Sequence, residues 1–339
     1  MRIMLAGFGV VGRALATMLE ERSGELYRRC GLQPRLVGVL DRGGAAVSEL
    51  GLPVADLCAA KDGHGTVATV PGRGERSVDS EATIADSDAD VFILATPSVL
   101  SNPTPDIGLL KAAFRSGQHV VSVNKAPLAV AMPALLELAR YNRREFRFSG
   151  TVGAGTPVLA FARECAKSDP IQRVQAVLNG TTNFILWRMH TAGATFVDAL
   201  AEAQRLGFAE TDPATDIDGI DTATKIVILA NHVLSRPVRL ADVAIRGIHG
   251  LGSDVIESAR KKGYAVKLIG EIAEQLTVAP REVEAGGGLD VPASLNAVSL
   301  TLRSGAEVTL RGRGAGGPET ATAILRDLID IWNVMGMHA

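Results

Sequence analysis

Five carboxylates and one lysine fall within sixteen residues, Glu210-Thr-Asp212-Pro-Ala-Thr-Asp216-Ile-Asp218-Gly-Ile-Asp221-Thr-Ala-Thr-Lys225. Carboxylates in this density suit an ammonium group. A lysine suits an oxygen on which negative charge gathers. Together they have the makings of a cradle for a small zwitterion. A helix beginning near Asp218 or Gly219 sets Asp221 and Lys225 four apart, on one face. The same spacing also gives ordinary ion-pair support to an exposed helix, and these sixteen residues do not choose between the two.

A second chemical signal stands at the start of the chain. The apolar run Arg2-Ile-Met-Leu-Ala6 reads as a buried strand. Gly7-Phe8-Gly9-Val10-Val11-Gly12 follows at once, and residues 13–21 then have helical periodicity. This is G-x-G-x-x-G in the strand-then-helix setting that a dinucleotide needs. Gly7 permits the tight turn, Gly9 admits a pyrophosphate to the backbone, and Gly12 lets helix and strand pack closely. The helix N-terminus faces the phosphate charge. The next strand, residues 35–40, ends in Asp41-Arg42. Asp41 suits a ribose 2′-hydroxyl and Arg42 a 2′-phosphate, so NAD and NADP both stay open, with NADP favoured. Asp41 also suits a plain turn cap before Gly43. Two later strand ends carry Thr96-Pro97 and Asn124-Lys125, on the side where parallel sheets bind ligands.

The elements between these motifs alternate. Residues 24–34 read as a helix end and loop, 66–70 as a strand, 72–80 as a polar loop. Residues 109–115 and 132–141 read as helices, 145–148 as a strand. That order argues a doubly wound parallel sheet. A glycine-rich turn at 149–157 precedes a helical run at 158–166. A strand at 173–178 ends in Asn179-Gly180-Thr181-Thr182-Asn183. Hydroxyls and amides gathered there suit a polar ligand, and equally suit helix capping by Thr181 or Thr182. Strands follow at 266–272, 276–279 and 299–303, the last partnered by 307–310. A turn rich in glycine, including Gly314, opens a final helix at 321–332.

Composition narrows the class. A chain of 339 residues, 47% hydrophobic, affords two globular domains. A net charge of −2 without a basic stripe speaks against nucleic acid or a membrane surface as partner. The apolar runs fall short of the roughly 18 residues of a spanning helix. A signal peptide would be cut through the glycine motif, so none is expected. Three scattered cysteines, Cys30, Cys58 and Cys165, fit reduced thiols of a cytoplasmic protein.

The motifs GFGVVG, SVNKAPLA, SGTVGAGTP, NGTTNFIL, GFAETDPATDIDGIDTATK and GAGGPETATAILRDLI, in this order, resemble homoserine dehydrogenase. The resemblance spans nearly the whole chain and implies reversible NAD(P)-dependent reduction of L-aspartate 4-semialdehyde to L-homoserine, in the threonine, methionine and isoleucine route. It implies a Rossmann-type dinucleotide-binding domain at residues 1–128, with the last helix, 318–339, packing back on it. It implies an α+β substrate-binding and dimerisation domain with a mixed sheet at 129–317, and hence a homodimer. By position Lys225 matches the catalytic lysine and Lys125 a second active-site lysine. Glu210 and Asp221 match substrate-holding acids, and Asp216 an acid near the reacting oxygen. Gly180 and Thr181 match the substrate loop, and Gly314 lies near the cofactor. The resemblance calls for no metal as Lewis acid. No aspartokinase portion or ACT module accompanies these motifs, so feedback by threonine through such a module is not expected.

Two alternatives have distinct demands. Aspartate-semialdehyde dehydrogenase needs a cysteine nucleophile, and none of the three cysteines stands at a strand end or beside a suitable base. A protein that binds NAD(P) without chemistry would have no need of Lys225, Asp221 and Glu210. One departure bears on ions. Relatives hold a monovalent cation, chiefly by backbone carbonyls, at the turn matching Val152, Ala154 and Thr156, with a glutamate where this chain has Ser149. Losing the charged ligand predicts a weak or absent cation site.

Overall fold

Short apolar runs in the first half become strands buried along nearly their whole length, as strands covered by helices on both faces must be. The computed structural model describes residues 1–336, in two units: Met1–Thr151 with the chain from Gly316 onward, and Val152–Ala315. Residues 337–339, counted with the last helix in the sequence reading, lie outside the described residues.

The first unit opens with β1 (Arg2–Ala6), α1 (Val10–Glu21), α2 (Ser23–Cys30), β2 (Arg35–Asp41) and β3 (Gly44–Val47). It continues through α3 (Val54–His64), β4 (Gly74–Arg76), α4 (Ser80–Ala85), β5 (Val91–Leu94), α5 (Thr104–Arg115), β6 (His119–Ser122), α6 (Ala126–Tyr141) and β7 (Phe146–Arg147). Among the described residues its sheet runs β4-β3-β2-β1-β5-β6-β7. Strands β2, β1, β5, β6 and β7 are parallel, and β3 and β4 add antiparallel at the β2 edge. The order reverses at β1, so the crevice for a ligand lies at the carboxyl ends of β1 and β5.

Four readings of this half change. Residues 66–70 are not a strand: Val67–Thr69 form a 3-10 turn, because the Thr66 hydroxyl caps Ala68 N–H and Asp41 takes Val67 N–H. The loop at 72–80 contains β4, and residues 24–34 hold most of α2, closed by Gly31 in the left-handed region. The boundary placed at residue 128 falls instead at Thr151. Helix α6 leads into β7, which pairs with β6 and so carries residues 129–151 into the first unit.

The last helix, labelled α13 by its place in the chain (Gly317–Gly336), returns to the first unit. Its Ala321, Ile324, Leu325, Leu328 and Ile331 join a core with Leu5 and Leu15, and Trp332 Nε1–H donates to the Cys30 carbonyl at 2.8 Å.

The second unit holds α7 (Val158–Ala166), β8 (Ile171–Val177), α8 (Gly180–Ala192), α9 (Phe196–Arg205), α10 (Ala214–Ile217), α11 (Ile220–Val233), β9 (Val243–Ile245), α12 (Ser253–Lys261), β10 (Tyr264–Ile272), β11 (Leu276–Glu284), β12 (Leu295–Leu302) and β13 (Glu307–Arg313). Its sheet, among the described residues, is mixed, in the order β13-β12-β8-β10-β11-β9. Only β11 and β9 pair in parallel there. Helix α11 is the central support. Every residue from Asp221 to Ala230 is buried, which marks a helix enclosed on all sides. It begins at Gly219, whose φ of 84° no side chain adopts without strain.

Candidate active site

The sheet of the first unit gathers the expected cofactor positions. Gly7 turns at φ 99° beside the end of β5, where a Cβ would overlap the Ala95 carbonyl. A Cβ on Gly12 would overlap the Gly7 carbonyl, and one on Gly9 would meet nothing within 4 Å. The backbone is thus closed where helix meets strand and open where a pyrophosphate would approach, at the N-terminus of α1. Phe8 is buried, with the Arg13 guanidinium 6.0 Å from its ring centre, while Val10 stands exposed on the first turn of α1, followed by Val11. These residues fit a dinucleotide.

Thr96 and Pro97 follow β5, and Lys125 follows β6 at the N-cap of α6. Asn124, which sequence reasoning did not assign a role, ties these ends together. Its Nδ2 lies 2.9 Å from Thr96 Oγ1, 3.2 Å from the Pro97 carbonyl and 3.0 Å from Asp106 Oδ2. Its Oδ1 accepts from Ala126 N–H at 2.9 Å, Thr96 Oγ1 donates to Asp106, and Lys125 N–H donates to Ser98 Oγ.

At the end of β2 the Asp41 carboxylate is engaged by the protein itself. Its carboxylate accepts from Lys61 Nζ (2.6 Å), Thr66 Oγ1 (2.7 Å), Gly43 N–H (2.9 Å) and Val67 N–H (3.0 Å). Burial pushes the Asp41 carboxyl up, but these donors outweigh it and hold it below its ordinary value. A carboxylate has about four lone-pair sites, and these four donors account for them. The neighbouring Arg42 is exposed and forms no ion pair among the described residues. Lys61, absent from the sequence reading, adds a second cation there.

In the second unit the acidic stretch and the Asn179 turn close on one another. Asp221 and Lys225 form an ion pair at 2.7 Å with each side chain only 9% exposed. This excludes the bland reading of an exposed helix pair. Lys225 Nζ also donates to the Leu178 carbonyl at 2.6 Å. Asn179 Nδ2 donates to Asp216 Oδ1 (2.6 Å) and Asp221 Oδ2 (3.0 Å). The Thr181 hydroxyl lies 2.8 Å from Asp216 Oδ2 and 2.6 Å from the Phe208 carbonyl, and its one proton serves one of them at a time. Helix α8 is capped by Asn179, not by Thr181 or Thr182: its Oδ1 accepts from Thr182 N–H at 2.9 Å. Gly180 opens the helix against Ser294.

Thr181, Asp216, Asp221 and Lys225 are thereby brought together. Glu210 is not part of that network. It is exposed in the loop after α9, and its carboxylate makes no hydrogen bond or ion pair among the described residues. The loop is nonetheless tied to the network through Phe208. Gly314 packs against Asn296, where a Cβ would overlap the amide; that amide is buried and has no hydrogen-bond partner among the described residues.

The turn at which a weak or absent cation site is expected carries hydrogen bonds of its own. Thr156 N–H donates to the Gly153 carbonyl, Val158 N–H to the Thr156 carbonyl, and Thr156 Oγ1 to the Arg313 carbonyl. Val152 is buried, and Ala154 sits at φ 46°. In the first unit Ser149 donates from N–H (2.9 Å) and Oγ (2.6 Å) to Asp327 of α13. Burial pushes the Asp327 carboxyl up to about 6 against the pull of those bonds. A glutamate at position 149 would therefore set one carboxylate against another.

Known proteins resemble this chain in sequence and fold. A family model described as homoserine dehydrogenase matches residues 157–329. A homoserine dehydrogenase of Methanocaldococcus jannaschii is 38% identical over 98% of this chain and 99% of its own length. An NAD(+)-dependent homoserine dehydrogenase of Pseudomonas canavaninivorans is 37% identical over 97% and 96%. The solved structure of a hyperthermophilic archaeal homoserine dehydrogenase in complex with NADPH superposes with a TM-score of 0.85 at 29% identity, covering 97% of each chain. Fold, glycine motif, acid–lysine network and these likenesses agree, and the chain belongs to the homoserine dehydrogenase family.

Proposed function

We propose that this chain catalyses the reversible reduction of L-aspartate 4-semialdehyde to L-homoserine with NAD(P)H. The observation that carries the reading is the buried Asp221–Lys225 pair at 2.7 Å, bonded into the turn that ends β8. The bound nicotinamide supplies the hydride, or accepts it in the reverse direction. Lys225 hydrogen-bonds the aldehyde oxygen and delivers a proton as the alkoxide forms. Asp221 keeps that lysine aimed. Asp216 lies near the reacting oxygen, with Gly180 and Thr181 as the substrate loop. Glu210 and Asp221 hold the substrate's α-ammonium. Lys125 serves as a second lysine at the carboxyl end of β6, and Gly314 lines the cofactor.

NADP is the favoured coenzyme. The Asp41 lone pairs are taken by protein donors, Lys61 among them, whereas the exposed Arg42 offers positive charge at the end of β2, where a 2′-phosphate lies. Family membership further supports a homodimer formed through the second unit, and a cytoplasmic location. No helix among the described residues is long and apolar enough to cross a membrane. The test is homoserine-dependent reduction of NADP+ and NAD+, followed at 340 nm. Turnover with homoserine, faster in kcat/KM with NADP+, supports the reading. Coenzyme binding without turnover refutes it.

A further inference from the structure

We propose that Asn179 is a positioning residue that fixes Asp216, Asp221 and Lys225 in one geometry; the inference rests on the roles given to those three above. Asn179 is 5% exposed, and both ends of its amide are in use. One nitrogen reaches two carboxylates, Asp216 Oδ1 at 2.6 Å and Asp221 Oδ2 at 3.0 Å. The oxygen accepts from Thr182 N–H at 2.9 Å and lies 3.1 Å from Thr182 Oγ1. Two carboxylates that converge on one point repel, and one of them tends to take up a proton. A neutral amide with two N–H donors binds both and holds them aimed without adding charge. The preceding residue, Leu178, supplies the carbonyl on which Lys225 rests. One turn between β8 and α8 thus spaces the acids and seats the lysine.

The charged groups within hydrogen-bonding reach of this cluster are Asp216 from α10 and Asp221 and Lys225 from α11. Helix α8 contributes the neutral Thr181 and Thr182. A simpler role for Asn179 is that of N-cap to α8, and the two roles separate by substitution. Asn and Asp cap helices about equally well, and the helix dipole favours the charged form. Asn179→Asp therefore leaves a mere cap intact. In a bridge it replaces the shared donor with an oxygen facing two carboxylates, so the cluster must bind a proton.

Wild type, Asn179→Asp, Asn179→Ser and Lys225→Met are compared by kcat and KM for homoserine and coenzyme across pH, with urea midpoints as a fold control. Asn179→Asp is expected to move the acidic limb of kcat/KM upward by about one pH unit or more. Its kcat at neutral pH should fall at least about tenfold, with coenzyme KM unchanged. Asn179→Ser keeps a capping hydroxyl but is too short to reach the acids. Its kcat should fall similarly, with a smaller upward shift of the limb, since the shared donor is lost but no third carboxylate is added. A wild-type profile and a kcat within about twofold in Asn179→Asp would reduce Asn179 to a cap. Should that variant not fold, a kcat within about twofold in Asn179→Ser overturns the proposal. Full activity in Lys225→Met would overturn the underlying site and this inference with it. An inactive Lys225→Met beside a normal Asn179→Asp would overturn this inference alone.

Discussion

Lys225→Met separates what the buried pair does for the fold from what the lysine does for the reaction. Both partners are 9% exposed and 2.7 Å apart. Removing one charge of such a pair strands the other, at a cost of about 3–5 kcal/mol. A substitution at Lys225 therefore does not leave folding untouched, as a surface pair would. Adding Asp221→Asn removes the stranded charge while keeping an oxygen for Asn179. The double variant should recover more than half of the loss. What remains is the lost bond to the Leu178 carbonyl, about 1–3 kcal/mol. The reaction should not recover. Loss of one acid–base group lowers kcat by about 10²–10⁴, equal to about 3–5 kcal/mol of transition-state stabilisation. The assay is urea unfolding with steady-state kinetics on both single variants and the double. A kcat within tenfold of wild type in Lys225→Met would remove the lysine from the chemistry. A double variant no more stable than Lys225→Met would show that the stranded charge is not the source of the loss.

Arg42→Ala and Lys61→Ala should each raise KM for NADP more than for NAD, since only NADP carries the extra phosphate; equal effects would place both cations elsewhere. Glu210→Gln should raise homoserine KM about tenfold while coenzyme KM stays put, the worth of a charge-assisted hydrogen bond to an ammonium. A fall in stability alone would make Glu210 structural. Asp327→Asn tests the buried carboxylate of α13. Its folded value of about 6 exceeds the ordinary 3.8, so the protonated acid favours the fold and that stability drains as pH rises through this window. Relative to the variant, wild type should lose about 2 kcal/mol between pH 4 and 7 in urea unfolding, and parallel stability curves would refute this. Activity should be nearly equal in sodium, potassium or a bulky organic cation at matched ionic strength, given Ser149 in place of a charged ligand. A strong sodium requirement would show that other oxygens complete a site.

The parts legible in the sequence are those whose causes are local. The glycine motif needs only adjacent residues to require an open backbone at Gly9 and closed ones at Gly7 and Gly12. The start of α11 is written in Gly219 and the apolar run that follows Lys225. The parts not legible depend on side chains meeting from afar. Asp41 is consumed by Lys61 and Thr66, 20 and 25 residues on. Asn179 bridges acids 37 and 42 residues away. The alternating Thr and Val of residues 66–70 carry β propensity, yet Asp41 and the Thr66 hydroxyl capture the amides that a strand would pair. The unit boundary lies beyond β7, a strand the alternation already places in the first sheet, so the cut at 128 comes too early. Burial of the Asp221–Lys225 pair is likewise tertiary: the i,i+4 spacing is the same on a wet helix and a dry one.

Hydride transfer to the aldehyde carbon is the central claim, and isotope transfer tests it most directly. The protein is incubated with L-aspartate 4-semialdehyde and NADPH carrying deuterium at both C4 positions, and the product is read by mass spectrometry and NMR. The account predicts L-homoserine heavier by a single deuterium, located on C4. Homoserine without the label, or no homoserine at all from folded protein, would contradict it.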